Sequence, residues 1–417
     1  MDHFTYKNNE LYAEEIAISD IARQIGTPFY CYSTATLTRH YNVFAEAFSP
    51  VDATVCFAVK SNSNIAVLQT LGNLGAGGDC VSEGEIRRCL AAGIPASKIV
   101  FSGVGKTRSE IKYALEQDIM QINIESAPEL EAINEVALSL GKKAKVAFRI
   151  NPDVDAGSHD KISTGRKEDK FGIAWESVMD MYTRAAELEG IEVQGVATHI
   201  GSQLTALDPF KAAFTKVVGL VKELRAKGHN IIRLDLGGGL GIPYKVQDIP
   251  SPAEYARMVI ETTKELGCKL VFEPGRLICG NAGILVSEVT YIKKTDHKNF
   301  LIIDAGMNDL IRPTLYDAYH DIVSVKNPDR NKITMDIVGP ICETGDVFAK
   351  NRDLPEFSEG ELIAIRSCGA YGAVMSSEYN TRPVTPEVLV NGNKFSVIRK
   401  RETYQDILAK DSIPDWL

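Results

Sequence analysis

The sequence has no apolar run near the ~20 residues that a membrane span needs, no run of Lys and Arg longer than three residues, no low-complexity stretch and no CxxC pair. Each absence excludes a class. Lys and Arg total 46 against 55 Asp and Glu, a formal charge of −9. An acidic chain without basic patches is expected to bind neither nucleic acid nor an anionic membrane surface. The eight cysteines, at 31, 56, 80, 89, 268, 279, 342 and 368, are scattered. None stands at ligand spacing with a histidine, so no metal site is expected. They read as reduced thiols, mostly buried as small apolar residues. The opening stretch MDHFTYKNNELYAEEI is too polar for a secretory signal, which leads to the expectation of a cytoplasmic location. What remains is ordinary globular composition, 44% hydrophobic and 24% charged, over 417 residues. At ~150 residues per domain, that length predicts two or three domains.

Between about 54 and 276 one pattern repeats, a short apolar run followed by a helix-length amphipathic segment. The runs are TVCFAV (54–59), AGGDCV (76–81), KIVFSG (98–103), MQINIE (120–125), KVAFRI (145–150), GVATHI (195–200), IIRLDL (231–236) and KLVFEP (269–274). Most are β-branched or aromatic-rich and lack polar alternation, as strands covered on both faces should. Four following segments open with S/T-x-x-E pairs: Ser82–Glu85, Thr107–Glu110, Ser126–Glu129 and Ser251–Glu254. Each predicts a capping box. Eight βα units of this length predict a TIM-like (β/α)8 barrel, with a doubly wound open sheet as the alternative. After 276 the runs ILVSEVTYI, FLIIDAG, KITMDIVG, ELIAIRSCG and KFSVIRK are strand-like, separated by VKNPDR, AKNRDLPEFSEG and NGNK, which read as turns. That predicts an all-β barrel or sandwich domain. The expected division is 36–278 for the barrel and 1–35 plus 279–417 for the β domain. The first ~35 residues either add a strand to the barrel or join the second domain. Asp153 to Phe171 is long and polar for a βα loop, reading equally as a functional lid or a disordered segment.

In such barrels the chemistry sits at the C-terminal strand ends. The first run closes on Lys60, which is either a solvated strand end or a lysine able to form a Schiff base. The second ends near Asp79, the fifth at Arg149 and Asn151, and the sixth at His199 with Gly201-Ser202-Gln203. His199 reads equally as a packed residue or a catalyst. The seventh runs into Gly237-Gly238-Gly239-Leu240-Gly241. This run lacks the third glycine of a dinucleotide fingerprint and lies too late in the chain, so a barrel phosphate site is the better match. The eighth gives Glu273-Pro274-Gly275-Arg276. An imine-forming lysine, a phosphate cradle and a nearby carboxylate suggest pyridoxal phosphate. A phospho-sugar aldolase with a Schiff-base lysine stays open on these residues alone.

FAVKSNSN, HIGSQ, GGGLGIPY, EPGR, IRPTLYDAYH, CETGD and GAYG, in this order from 57 to 372, together with the tail RKRETYQDIL, resemble the fold-type III pyridoxal-phosphate decarboxylases, and within them the diaminopimelate decarboxylases. The resemblance covers nearly the whole chain. It implies decarboxylation of meso-2,6-diaminopimelate to L-lysine, the last step of lysine synthesis, with pyridoxal 5'-phosphate on Lys60. His199 would face the pyridine ring. Ser202, the glycines around Gly239 and the turn Glu273, Pro274, Gly275, Arg276 would hold the cofactor, with Tyr371 at its phosphate. Glu273 would pair with the pyridine nitrogen. Alanine racemase, a barrel relative, has arginine there, so the carboxylate favours decarboxylation over racemisation.

The same resemblance assigns the substrate's far end to Arg276, Arg312, Tyr316, Glu343 and Tyr371, and reprotonation to Cys342. Two arginines suit a carboxylate and a glutamate suits an ammonium. Read singly, Arg312 or Glu343 would be a surface ion pair, and Cys342 one more buried thiol. Partners implied are the small amino-acid substrate and a second copy, in a homodimer with shared active sites. The alternatives are a decarboxylase of ornithine, arginine or lysine, and a non-catalytic cofactor-binding homologue.

Overall fold

The computed structural model describes residues 2–154, 170–245 and 247–417. The chain divides into two compact units, Thr38–Pro243 with Asp248–Ile278, and Met1–Leu37 with Tyr244–Gln247 and Cys279–Leu417. The long polar segment after Asp153 falls mainly on 155–169, outside the described residues.

The N-terminal segment forms β1 (Phe4–Lys7), β2 (Glu10–Ala13) and β3 (Ile16–Ala17), a small antiparallel sheet of their own. The next strand, β4 (Phe29–Ser33), does not enter the barrel. It pairs with strands of the second unit, described below.

The first unit is a closed parallel barrel. Its strands are β5 (Ala53–Ala58), β6 (Gly77–Cys80), β7 (Ile99–Phe101), β8 (Gln121–Ile124), β9 (Ala144–Arg149), β10 (Ile191–Ala197), β11 (Arg233–Asp235) and β12 (Lys269–Phe272). Closure comes from β12 on β5, with Leu270 opposite Ala53. All residues of β6, β7 and β8 are buried, including the polar Asp79, Gln121 and Asn123, so both faces of these strands are covered. An aromatic cluster packs beneath β12, Phe272 lying with ring centroids 4.0 Å from Phe48 and 5.7 Å from Phe44.

Two of the four capping boxes form as expected, at Thr107–Glu110 and Ser251–Glu254. At the other two the serine caps its helix but the glutamate reaches one residue further back. Glu85 accepts from the Val81 N–H at 2.8 Å, and Glu129 from the Glu125 N–H at 2.7 Å. Glu129 is also ion-paired to Lys106 at 2.6 Å with both side chains buried, so that partner competes for its position.

The second unit carries β13 (Gly283–Lys294), β14 (Asn299–Ile303), β15 (Ile322–Ser324), β16 (Lys332–Val338), β17 (Val347–Pro355), β18 (Leu362–Ile365), β19 (Glu387–Asn391) and β20 (Lys394–Arg399). Its sheet runs β17-β16-β14-β13-β4-β19-β20, with β18 on β13 and β15 on β18. Strand β17 overturns the reading of AKNRDLPEFSEG as a turn. It ends the sheet order, and its Lys350, Asn351 and Asp353 are exposed, as charges on an edge strand commonly are. Three short helices, Ile18–Ile25, Arg312–Tyr316 and Tyr404–Leu408, also interrupt a unit expected to be all β. No helix among the described residues is long and apolar enough to cross a membrane.

Candidate active site

Within the barrel the C-terminal strand ends converge as expected. Lys60 lies in the turn Val59–Ser61 just after β5 and is ion-paired to Asp79 of β6, whose side chain is fully buried. Asp79 Oδ1 is buried without a hydrogen-bond partner. Glu273 follows β12 and has no ion pair among the described residues. Its carboxyl is bonded by Ser102 Oγ at 3.4 Å and Asn123 Nδ2 at 3.5 Å and shares a side-chain hydrogen bond with the Asp235 carboxyl. Burial, then the charges of Asp235 and Asp79, push the Glu273 carboxyl well above the usual range, against Lys60 and Arg149. Three carboxylates thus crowd one barrel mouth.

His199 accepts at Nδ1 from the Gly238 N–H, at 3.2 Å. That bond requires an unprotonated Nδ1, and burial followed by the charges of Arg149 and Lys60 holds the ring well below the usual histidine range. The imidazole is therefore neutral with its proton on Nε2. The glycine run is forced by close backbone approach. A Cβ on Gly238 would stand 2.3 Å from the Glu273 carbonyl oxygen, and one on Gly239, at φ +110°, 2.4 Å from the Gly201 carbonyl oxygen. No other residue fits there. Gly239 also pins the HIGSQ loop, its carbonyl accepting from the Leu204 N–H at 2.9 Å. Arg276, buried, donates to Ser202 Oγ at 3.1 Å.

Asp235, at the end of β11, did not stand out in the sequence, nor did Asn123 and Gln121 of β8. Asn123 Nδ2 donates to Asp235 Oδ2 at 3.1 Å and to Ser102 Oγ at 3.1 Å, and Gln121 donates to Asn123 at 2.7 Å. The available signal was polar residues inside otherwise apolar runs, QINI and LDL. Burial raises Asp235 to about 6, opposed by its bonds from Asn123 and the Gly237 N–H and reinforced by Asp79. A raised carboxyl keeps its proton in the folded state after the unfolded chain has released one near pH 4. Stability should therefore fall as pH rises from about 4 through 6. In the cofactor-free protein, Asp235→Asn should flatten the fall in melting temperature over that window. An unchanged pH slope would count against the assignment.

The second unit holds Arg312, Tyr316, Cys342, Glu343 and Tyr371. Arg312 opens the helix Arg312–Tyr316 and is 6% exposed. It has no carboxylate partner among the described residues; its Nη1 donates to Tyr244 Oη at 3.0 Å and faces His320 Nε2 at 3.1 Å. Tyr316 and Tyr371 are half-buried, and Tyr371 sits at φ +56°. Cys342 and Glu343 are exposed; of the eight free cysteines Cys342 alone is, six others being buried. Their loop is held by residues the motifs did not flag. Asp346 accepts from the Met307 and Ile341 N–H groups at 2.7 Å each. Asn380 Oδ1 accepts from the Cys342 N–H at 2.8 Å, and Tyr379 Oη donates to Glu343 at 2.9 Å.

The barrel residues fit pyridoxal phosphate. A buried carboxyl with no cation paired to it suits a protonated pyridine nitrogen, which would also relieve the crowding of three carboxyls. The glycine run and Ser202 suit its phosphate. Comparison with known proteins agrees. Residues 34–280 match the family described as pyridoxal-dependent decarboxylase, pyridoxal binding domain. The chain is 52% identical to the diaminopimelate decarboxylase of Pseudomonas aeruginosa over 99% of each. It superposes on the diaminopimelate decarboxylase of M. jannaschii, solved with L-lysine, with TM-score 0.95 and 40% identity, covering 100% of this chain and 99% of that one. The Helicobacter pylori enzyme complexed with L-lysine gives TM-score 0.91 and 41% identity over 94% of this chain and 98% of that one.

Proposed function

The chain belongs to the diaminopimelate decarboxylases, a family of pyridoxal-dependent decarboxylases, and from that premise we propose how its residues carry the reaction. It removes one carboxyl group of meso-2,6-diaminopimelate as CO2 and releases L-lysine, the last step of lysine biosynthesis. Pyridoxal phosphate, when bound, supplies the sink for the electron pair that the departing CO2 leaves behind.

Lys60 would anchor the cofactor through its side-chain amine. Asp79, paired with Lys60, holds that amine at the barrel mouth. Glu273 would pair with the pyridine nitrogen and favour its protonated form. His199, Ser202, the glycines around Gly239, the Glu273–Arg276 turn and Tyr371 hold the cofactor. Cys342 delivers the proton that replaces CO2 on the reacting carbon. We take the two units as the functional domains, 36–278 for the cofactor and 1–35 plus 279–417 for the residues that complete the site.

The observation supporting this substrate is Arg312, a buried cation facing only neutral partners. A buried charge is costly unless paired. A substrate carboxylate would pair it, and with Arg276 and Tyr316 it would grip the end not being cleaved, while Glu343 and Tyr371 take the ammonium side. Ornithine and lysine have no second carboxylate. Measuring CO2 release from meso-diaminopimelate, ornithine and L-lysine side by side tests this reading. Diaminopimelate should be favoured by about 10²-fold or more, the scale for losing a charge-assisted pair. Faster release from ornithine would remove Arg312 from the role.

We further propose a homodimer with shared sites. Cys342 is exposed within one chain, yet a proton donor to a carbanion must be shielded from bulk water. Cover by a second copy meets that need, and a two-fold axis gives two equivalent sites. A cytoplasmic location fits the eight free thiols.

A further inference from the structure

His320 is buried, 1% exposed, and no step above uses it. It follows the helix Arg312–Tyr316 and touches the arginine that opens it. Its Nδ1 stands 2.9 Å from the Arg366 carbonyl oxygen, and its Nε2 stands 3.1 Å from Arg312 Nη1. A carbonyl oxygen only accepts, so Nδ1 carries the proton. A guanidinium only donates, so Nε2 must accept. One neutral tautomer satisfies both, and the backbone of Arg366 selects it. The ring is thereby locked with its lone pair on the arginine.

Tyr244 completes the clamp. Its oxygen accepts from the same Nη1 at 3.0 Å, its ring lies 5.1 Å from the guanidinium carbon, and it meets the His320 ring edge-on at 5.5 Å. Two neutral acceptors therefore converge on one nitrogen of Arg312. Among the described residues its Nε and Nη2 have no hydrogen-bond partner. That edge is the one a carboxylate takes with two parallel bonds. An acidic clamp would have neutralised the guanidinium, whereas a neutral one orients it and leaves its charge to the ligand.

We propose that His320 is a positioning residue for substrate selection, setting the plane of Arg312 so that its open edge meets the distal carboxylate. This rests on the reading of Arg312 as the carboxylate grip. The test uses ligands rather than turnover alone. L-Lysine keeps the head group that Arg312 would hold, and cadaverine lacks its carboxylate.

Calorimetric titration of the holoenzyme with both ligands compares four variants. His320→Asn retains an N–H for the Arg366 carbonyl but loses the acceptor toward Arg312. His320→Gln reaches Arg312 with an oxygen and gives up the backbone tie. Loss of one hydrogen bond to a charged group should make His320→Asn bind L-lysine about tenfold more weakly, with cadaverine affinity changed less than about twofold. His320→Gln should recover most of that loss. Steady-state KM for diaminopimelate should follow the same order, with kcat much less affected. Tyr244→Phe removes the other acceptor on the same nitrogen, so it too should weaken L-lysine selectively even if His320→Asn fails to fold. Parallel loss of both ligands, or equal effects of Asn and Gln, would make His320 a packing residue and overturn the proposal. Arg312→Gln separates the two levels. Unchanged L-lysine affinity there refutes the grip itself, whereas a loss there with none in His320→Asn refutes only the positioning role.

Discussion

Lys60→Ala is expected to lower turnover of diaminopimelate by about 10⁴-fold or more, since one side chain supplies both the covalent anchor and a positioned amine. The geometry makes the variant informative in a second way. Asp79 is fully buried, one of its oxygens already lacks a hydrogen bond, and Lys60 is its only ion-pair partner among the described residues. Removing the lysine strands that carboxylate beside Asp235 and Glu273, so Lys60→Ala should also melt at lower temperature. Lys60→Arg separates the two effects. It keeps a cation against Asp79 and should fold as the wild type does, but a guanidinium cannot form the cofactor linkage. Both variants should lack the near-visible absorption band of lysine-bound cofactor. Retention of that band in either would assign the anchor to another amine.

Cys342→Ala is expected to bind cofactor and substrate while losing about 10²- to 10⁴-fold in turnover to L-lysine, the range for a positioned acid. With the donor gone, a fraction of turnovers should instead release the decarboxylated skeleton by hydrolysis as an aldehyde and leave the substrate nitrogen on the cofactor, in its amine form. That product is read by its spectrum and by loss of activity over successive turnovers. Unchanged turnover would remove the proton-donor role. The same variant tests the shared site. Random exchange with Lys60→Ala chains makes half the dimers mixed, and in each mixed dimer one site carries both lesions and the other neither. Activity should then recover to roughly a quarter of wild type. Verified exchange without recovery would put Lys60 and Cys342 in one chain's site.

Much of the candidate site was readable because its residues lie at strand ends. Lys60, His199, Gly239 and Glu273 each follow a run that has to be a strand, and a barrel delivers all such ends to one mouth. Arg312, Glu343 and Cys342 carry no comparable signal of their own. Only the motifs around them separated them from surface charges and a buried thiol. The residues that escaped notice act through contacts distant in sequence. Asn123 meets Asp235 112 positions away, and Cys342 is held by Asn380, 38 positions on.

Local pattern was enough for the barrel. Strands covered on both faces are mostly apolar, so eight such runs separated by helix-length segments admitted few architectures. It was not enough for β17, where AKNRDLP looks like a turn until β16 supplies its hydrogen bonds, nor for β4, whose apolar FYCYS could join either sheet. Nor could it assign proton positions. The tautomers of His199 and His320 follow from single backbone groups, the Gly238 N–H and the Arg366 carbonyl, brought to the rings by folding alone. Burial raises the Asp235 and Glu273 carboxyls in the same way. Side-chain identity is local, but desolvation and hydrogen-bond direction belong to the packed chain, and these set which residues in the barrel mouth carry charge.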